Sequence, residues 1–473
     1  MLPDLYKPSL GLLTDLYQLT MGYGYFRNNM TERKSIFHLF FRKPPFGRNY
    51  AIAAGFAIAQ ELIEQFHFSA SDIEFLYALK GNDGQALFSE DYLQKLSTWR
   101  PRVRVFGVPE GSAILEHCPL LRIEGPLFDC QLLETPLLTI LNFQTLIASK
   151  SANICQVAKD DMVLEFGLRR AQGIDGGIGA ARAAYIGGCH ATSNVLAAKL
   201  LGIPCKGTHA HSWVMSFATE QEAFATYAHA MPNNCIFLVD TYNTIDGVKN
   251  AIEEAKKLRQ KGHEMIGVRL DSGDLLALSK TARQLLDEAD FPNAKIVVSD
   301  SLDEHKMTRL KEQGAPIDIW GVGTNLVTAK DQPALGGVYK LGAIEDDAGN
   351  WLHRVKMSNT PIKVSNPGKL QIMRNRDTNV WIDVLVDELD GTKVTQIVSL
   401  DGTREMTIDI EDFVPLLTSE ITHDLNAIRS FSLQEQATSI ATPQLFLSKG
   451  LYEQKQKCIT EARHKQNMGV AST

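Results

Sequence analysis

The stretch Gly207-Thr208-His209-Ala210-His211-Ser212-Trp213 sets two imidazoles two residues apart. Imidazole changes charge near neutral pH, so it can bind a metal, move a proton or act as a nucleophile. The stretch follows a short apolar run, Ile203-Pro204-Cys205-Lys206, and opens into Trp213-Val214-Met215-Ser216-Phe217. It therefore reads as the end of a buried strand turning into a loop or helix. If the strand continues through them, His209 and His211 point the same way. That geometry admits three readings: a metal pair, a catalytic or phosphate-accepting imidazole with a neighbour, or two structural histidines. The elements around the stretch decide among them.

Those elements are short apolar runs, each ending in a polar or acidic residue and separated by helical segments. They are Met162 to Phe166, Ile203 to Gly207, Cys235 to Asp240, Met265 to Asp271, Lys295 to Asp300 and Ile317 to Gly323, with Gly337 to Ile344 as a further member. Strands alternating with helices imply βαβ units and a parallel sheet buried on both faces. So many units in sequence favour a closed or irregular (β/α) barrel over an open sheet, and in such a barrel the active site lies at the C-terminal ends of the strands. The strand ends supply Phe166 with Arg169, then Thr208, His209 and His211, then Asp240, then Arg269, Asp271, Ser272 and Asp274, then Ser299, Asp300 and Ser301, and finally Gly321, Gly323 and Thr324. Convergence of so many polar groups on one rim is hard to explain as stability alone.

The chemistry of the set is legible. Arg169 and Arg269 suit bidentate binding of phosphate or carboxylate. Gly321-Val322-Gly323-Thr324 before a helix is a small-residue turn whose backbone N–H groups can hold a phosphate. A neutral His211 is nucleophilic near neutral pH, and a carboxylate such as Asp240 or Glu165 could fix its tautomer. Asp271 and Asp300 are candidates for metal, ribose or histidine-orienting contacts. Gly173 to Gly179 is neither a dinucleotide fingerprint nor a Walker loop, and reads as a glycine-rich lead into a helix from Ala180 to Ile186.

Outside this region, Ser9 to Phe26 reads as a helix with Leu16, Leu19, Thr20 and Tyr23 on one stripe and Tyr17 off it. Ser35 to Phe41 is strand-like and leads into a loop carrying Arg42, Lys43 and Arg48. Residues 1–145 form an α+β part, residues 146–355 the barrel, and residues 356–473 complete the non-barrel domain. In the last part, Val380 to Val386 and Val394 to Leu400 read as strands, and Asp424 to Ser439 and Thr442 to His464 as helices. The end from Lys465 to Thr473 has the polarity of a frayed terminus.

A chain of 473 residues has room for this arrangement, and 44% apolar with 22% charged residues describes an ordinary globular protein. A net charge of -7 argues against sequence-independent nucleic-acid binding. Seven cysteines without a CxxC pair make neither a disulfide framework nor a zinc ribbon. The start Met1 to Lys7 has no export signal, and no apolar run is long enough to span a membrane, so a soluble cytoplasmic location is expected.

Five stretches together carry a resemblance: Leu13-Thr14-Asp15-Leu16-Tyr17-Gln18, Glu165-Phe166-Gly167-Leu168-Arg169-Arg170, Gly207-Thr208-His209-Ala210-His211-Ser212, Val268-Arg269-Leu270-Asp271-Ser272-Gly273-Asp274 and Gly336-Gly337-Val338-Tyr339-Lys340-Leu341. In this order they resemble the nicotinate phosphoribosyltransferase family. The resemblance implies an irregular α/β barrel with a domain built from both termini. It implies a reaction joining nicotinate to phosphoribosyl pyrophosphate with ATP hydrolysis, a transfer whose leaving pyrophosphate and developing charge at C1 carboxylates and Mg2+ can stabilise. It places a transient phosphate on His211, sets Tyr17, Thr208 and Arg269 at the nicotinate, and sets Thr324 at the phosphoribosyl group. It further implies a homodimer with shared sites, in which Tyr17 of one subunit stacks on the pyridine ring opposite Phe166 of the other. His190 stands where many relatives carry an acidic residue.

Two competing functions are compatible with the same residues. A metal-dependent barrel hydrolase would use the His-x-His pair but needs further histidine or lysine ligands, where this chain has Asp240, Asp271 and Asp300. A non-catalytic nucleotide-binding protein would keep the fold without needing His211 and Asp271 together.

Overall fold

The computed structural model describes residues 9–375, 381–391, 393–438 and 443–470. The start from Met1 to Lys7 lies outside the described residues, as do Val380, Ser439, Thr442 and the last three positions, Ala471 to Thr473. The chain separates into two compact units, one comprising residues up to 145 and from 334 onward, the other residues 146–333.

In the first unit, helix α1 (Leu16–Arg27) begins later than the apolar pattern predicts. Residues Leu10 to Thr14 turn instead, and Gly11 packs so tightly that a Cβ there would lie 2.2 Å from the His67 carbonyl oxygen. The buried side of α1 carries Gln18, Leu19 and Gly22, which leaves Leu16 exposed, contrary to the predicted stripe, and Tyr17 exposed as expected. Strand β1 (Lys34–Phe41) is buried from Ser35 onward. The short pair β2 (Ala51–Ile52) and β4 (Ala113–Ile114) brackets helices α2 (Phe56–Gln65), α3 (Ala70–Ala78) and α4 (Glu90–Thr98) and strand β3 (Arg104–Gly107). Strand β5 (Pro119–Pro126) pairs antiparallel with β1 and β3, followed by α5 (Leu127–Leu132) and the long α6 (Glu134–Ala158), whose residues from 146 on are counted in the second unit.

The second unit is a parallel sheet in the order β7-β6-β11-β10-β9-β8. Its strands are β6 (Met162–Glu165), β7 (Ala191–Thr192), β8 (Ile236–Leu238), β9 (Gly267–Leu270), β10 (Lys295–Val298) and β11 (Ile319–Val322). Their centres are buried because helices cover the sheet: α7 (Ile174–Gly187), α8 (Val195–Leu201), α9 (His211–Met215), α10 (Glu220–Ala230), α11 (Thr244–Gln260), α12 (Leu275–Glu288), α13 (Glu304–Glu312) and α14 (Thr324–Val327). α11 shows the logic: Val248, Ala251, Ile252, Ala255 and Leu258 recur at helical spacing and are buried. The glycines from 176 to 179 lie inside α7, where a Cβ on Gly177 would meet Leu168 at 2.6 Å. The expected strand at Ile203 to Gly207 is reduced to one parallel bridge, Thr192 to Cys205. Among the described residues no ladder joins that edge to β8.

Gly337 to Ile344 is not a member of the parallel sheet. It forms β12 (Gly337–Glu345), antiparallel to β1 and to β13 (Trp351–His353) in the first unit. The segment 334–355, expected with the barrel, thus lies with the first unit. The rest of that unit holds a second sheet of β14 (Leu370–Arg374), β15 (Ile382–Asp387), β16 (Gln396–Ser399), β17 (Glu405–Thr407), β18 (Val414–Pro415) and β19 (Gln444–Ser448). Val384, Ile397, Phe413 and Phe446 form its core. Helix α15 (Leu425–Thr438) agrees with expectation, but the helix expected from Thr442 begins only at Lys449, as α16 (Lys449–Val470), after β19. The architecture is α/β, with a parallel sheet in one unit and an α+β arrangement in the other.

Candidate active site

The C-terminal ends of the parallel strands assemble around Arg269. Its Nε donates to Ser299 Oγ at 2.7 Å, its Nη1 to Thr208 Oγ1 at 2.8 Å and its Nη2 to Asp271 Oδ1 at 2.9 Å. Ser299 also donates to Asp271 in a short hydrogen bond. β9 and β10 are in register at Arg269 and Val297, so the residues just past each strand meet at one level. The guanidinium lies 5.8 Å from the centre of the Phe166 ring. Gly321 makes room for that ring, since a Cβ at 321 would stand 2.8 Å from it.

His211 opens helix α9. Its Nδ1 lies 3.1 Å from Thr241 Oγ1, and its Nε2 lies 3.7 Å from Asp271 Oδ2. The second distance is an ion-pair approach rather than a hydrogen bond. Its side chain is 39% exposed, enough to meet a ligand. Neither Asp240 nor Glu165 fills the orienting role considered for them. Asp240 Oδ2 accepts from the Asp271 backbone N–H at 2.9 Å and from Ser272 Oγ at 2.6 Å. Glu165 is buried, accepts from Thr192 Oγ1 at 2.6 Å and from the Gly167 backbone, and burial raises its pKa. It shapes the turn that carries Phe166. The carboxylate nearest His211 is Asp271, and the partner that sequence reasoning missed is Thr241. A threonine after a strand-end aspartate has no chemical signature of its own.

His209 differs in kind from His211. It is 8% exposed, and its Nε2 accepts from the Leu238 backbone N–H at 3.2 Å. Burial lowers its pKa to about 4, and the nearby Arg269 and His211 act in the same direction. The pair does not point one way from a strand, because α9 begins between them.

The other strand ends divide. Asp300 Oδ2 accepts from Lys306 Nζ at 2.9 Å, and Ser301 beside it has a φ of 44°. That left-handed residue is held by Asn325, whose Nδ2 donates to the Ser301 carbonyl at 3.1 Å. Gly323 caps the short α14, with Thr324 exposed at its start, and Arg169 is exposed in the single turn Leu168–Arg170. Asp274 is structural, accepting from the Leu276 and Ala277 backbones as the cap of α12. His190 Nδ1 accepts from the Val163 backbone at 3.1 Å, below the rim. Tyr17 belongs to the first unit.

Asp240 Oδ1 is buried and without a hydrogen-bond partner, an acceptor that only a cation or donor would satisfy. No group of three or more potential metal-ligating side chains occurs among the described residues. Among them, too, no helix is long and apolar enough to cross a membrane.

A cation, an imidazole and carboxylates gathered where parallel strands end define an α/β enzyme working at the rim of its sheet. Residues 12–142 match the nicotinate phosphoribosyltransferase (NAPRTase) N-terminal domain, and residues 162–360 match the nicotinate phosphoribosyltransferase (NAPRTase) family. The nicotinate phosphoribosyltransferase of Bacillus subtilis is 48% identical over 77% of this chain and 73% of its own length. That of Dictyostelium discoideum is 38% identical over 85% of this chain and 75% of its own. The crystal structure of human nicotinic acid phosphoribosyltransferase superposes with a TM-score of 0.81 at 29% identity, covering 94% of this chain and 99% of that one. The chain belongs to the nicotinate phosphoribosyltransferase family.

Proposed function

We propose that the protein joins nicotinate to phosphoribosyl pyrophosphate, with ATP hydrolysed through a phosphate carried on His211, to give nicotinate mononucleotide for NAD synthesis. The observation that carries this reading is the placement of Arg269 between Phe166, Thr208, Ser299 and Asp271, with His211 facing the same Asp271. A guanidinium beside an aromatic ring matches a flat ring bearing a carboxylate. In the transfer the pyridine nitrogen forms the bond to C1 of the ribose as the bond to pyrophosphate breaks. Positive charge develops at C1, so carboxylates on this rim stabilise it. Asp300, Gly321, Gly323, Thr324 and Arg169 are the groups assigned to the ribose and its phosphates.

Thr241 as acceptor would hold the His211 proton on Nδ1 and leave Nε2 as the nucleophile toward the ATP γ-phosphorus, the bond to the β–γ bridging oxygen breaking as ADP leaves. The phosphoryl group would then stand beside the Asp271 carboxylate, two like charges that need a cation between them. Asp240 and Asp271 fit Mg2+, which takes one or two carboxylates together with substrate phosphates and would neutralise the departing pyrophosphate.

The working unit is a homodimer in the cytoplasm, with Tyr17 of each subunit closing the site of the other. Leu13, Leu16, Tyr17 and Met21 are all exposed, an apolar face suited to burial against a second copy. The metal-hydrolase alternative is disfavoured because His209 Nε2 is committed to a backbone N–H, which breaks the His-x-His chelate.

One experiment tests the site and the dimer together. His211→Ala should lose nicotinate-dependent ATP hydrolysis while keeping some uncoupled nucleotide formation. Mixing it with Tyr17→Ala chains should restore coupled activity, because one site in each mixed dimer is intact. Full ATP hydrolysis by His211→Ala alone overturns the phosphohistidine, and mixed dimers as inactive as their parents overturn the shared site.

A further inference from the structure

We propose that His209 is a positioning residue for the reaction at His211, its imidazole clipping the 207–211 segment to the open edge of β8. The inference rests on reading His211 as the reacting imidazole. Among the described residues β8 has one strand neighbour, β9, toward which the Val239 N–H points, donating to the Arg269 carbonyl at 3.2 Å. The preceding N–H, that of Leu238, faces the other way. Where a further strand would supply a carbonyl, the acceptor is His209 Nε2 at 3.2 Å. An imidazole accepting at Nε2 carries its proton on Nδ1, here 3.4 Å from the Ala210 carbonyl. The ring is held edge-on by Tyr227 at 4.9 Å and tilted against Phe224 at 6.1 Å between centroids.

The segment is thus anchored at Thr208 to Arg269, at His209 to Leu238, and at His211 to Thr241. Only the middle anchor is buried and tied to backbone, so it does not give way to a competing ligand or to water. Leu238 lies two residues before Asp240 and three before Thr241, so the same bond registers His211 against both. Without it, nothing buried in the segment fixes the 3.7 Å approach of His211 to Asp271. Two residues make His209 separable from a ring that merely fills space: leucine fills the site without accepting, and glutamine places a carbonyl near the Nε2 position.

The test compares His209→Leu, His209→Gln and His209→Asn, the last too short to reach Leu238. It reads kcat and KM for nicotinate mononucleotide formation, phosphate on His211, and hydrogen exchange at the Leu238 amide. With leucine, exchange at Leu238 should accelerate and kcat should fall about ten- to a hundredfold, the scale set by misplacing a reacting group by about 1 Å. KM for phosphoribosyl pyrophosphate should stay within about twofold in the same variant, as expected for loss of an interaction felt in the transition state. Glutamine should restore both protection and most of kcat. If the leucine chain does not fold, the glutamine and asparagine chains give the same contrast. Unchanged Leu238 exchange in the leucine or asparagine variant overturns the clip, and accelerated exchange with wild-type kcat overturns the positioning role. Wild-type protein that never carries phosphate on His211, with kcat still lost in the leucine variant, would refute the phosphohistidine and leave the clip standing.

Discussion

Arg374 in the first unit and Arg269 in the second are both arginines paired with an aspartate, and they do opposite work. Arg374 donates to both oxygens of Asp383 at 2.8 Å, to Glu435 at 3.0 Å and to the Ala113 carbonyl at 2.7 Å, and it lies 4.7 Å from the Trp381 ring centre. Trp381 adds a third bond to Asp383, whose side chain is 0% exposed. Every strong group in that cluster is satisfied inside the protein. Arg269 commits three of a guanidinium's five N–H groups, and its partner Asp271 is 23% exposed. The residue types are alike, and what marks the functional pair is unfilled capacity at an open rim.

The largest expected effects break the pair apart. Arg374→Ala strands Asp383 as a buried unpaired charge, which costs about 3–5 kcal/mol of stability. Thermal unfolding should show that loss while activity per folded molecule is kept. Arg269→Ala should do the reverse, lowering kcat/KM for nicotinate about a hundredfold, the scale of a lost charged hydrogen bond of about 3 kcal/mol. Its unfolding midpoint should change far less than that of Arg374→Ala. A variant of Arg269 that keeps full kcat/KM would show its network to be as structural as that of Arg374.

A smaller effect is expected behind the ring. Gly321→Ala brings a Cβ to within 2.8 Å of Phe166 and 3.2 Å of the Ser299 Cβ, so the ring must move. An aromatic contact is worth about 0.5–1.5 kcal/mol, so KM for nicotinate should rise about two- to tenfold. An unchanged KM would mean that Phe166 does not face the substrate.

The same contrast explains what the sequence could show. The rim was legible because each parallel strand is a buried apolar run, so its first polar residues fall at one end. Arg269, Asp271 and Ser299 fall at such ends, whereas Thr208 follows a segment that pairs, among the described residues, through the single bridge at Cys205. Their partnership was not legible, since Thr208 and Arg269 are 61 positions apart. Gly337 to Ile344 has the composition of a buried parallel strand, but its neighbours are the antiparallel β1 and β13, and composition does not encode direction. The run Leu445-Phe446-Leu447 suits a helix or a strand equally, and pairing with β15 and β16 makes it β19. His209 and His211 looked equivalent until packing by Phe224 and Tyr227 buried one of them.

A further contrast lies between two buried histidines, one in each unit. His38 Nε2 accepts from the Leu370 backbone N–H at 3.2 Å, as His209 Nε2 accepts from Leu238 at the same distance. Burial lowers the pKa of His38 to about 3, with Arg122 adding to the shift, and that of His209 to about 4. In the unfolded chain both titrate near the ordinary histidine value of about 6.5. As pH falls below that value the unfolded chain takes up a proton that the folded chain refuses. Each histidine's contribution is therefore complete above about pH 6.5 and is lost as pH falls toward the folded pKa, by about 1.4 kcal/mol per pH unit at most. His38→Gln and His209→Gln keep an acceptor near Nε2 and remove the titration. Each should flatten the fall of unfolding midpoint between about pH 6.5 and 5 relative to the parent, whatever it costs at neutral pH. His209→Gln lies beside the active site, so its nicotinate mononucleotide formation should be compared over the same range. A midpoint that falls as steeply in both variants as in the parent would mean that neither imidazole is held neutral by its burial.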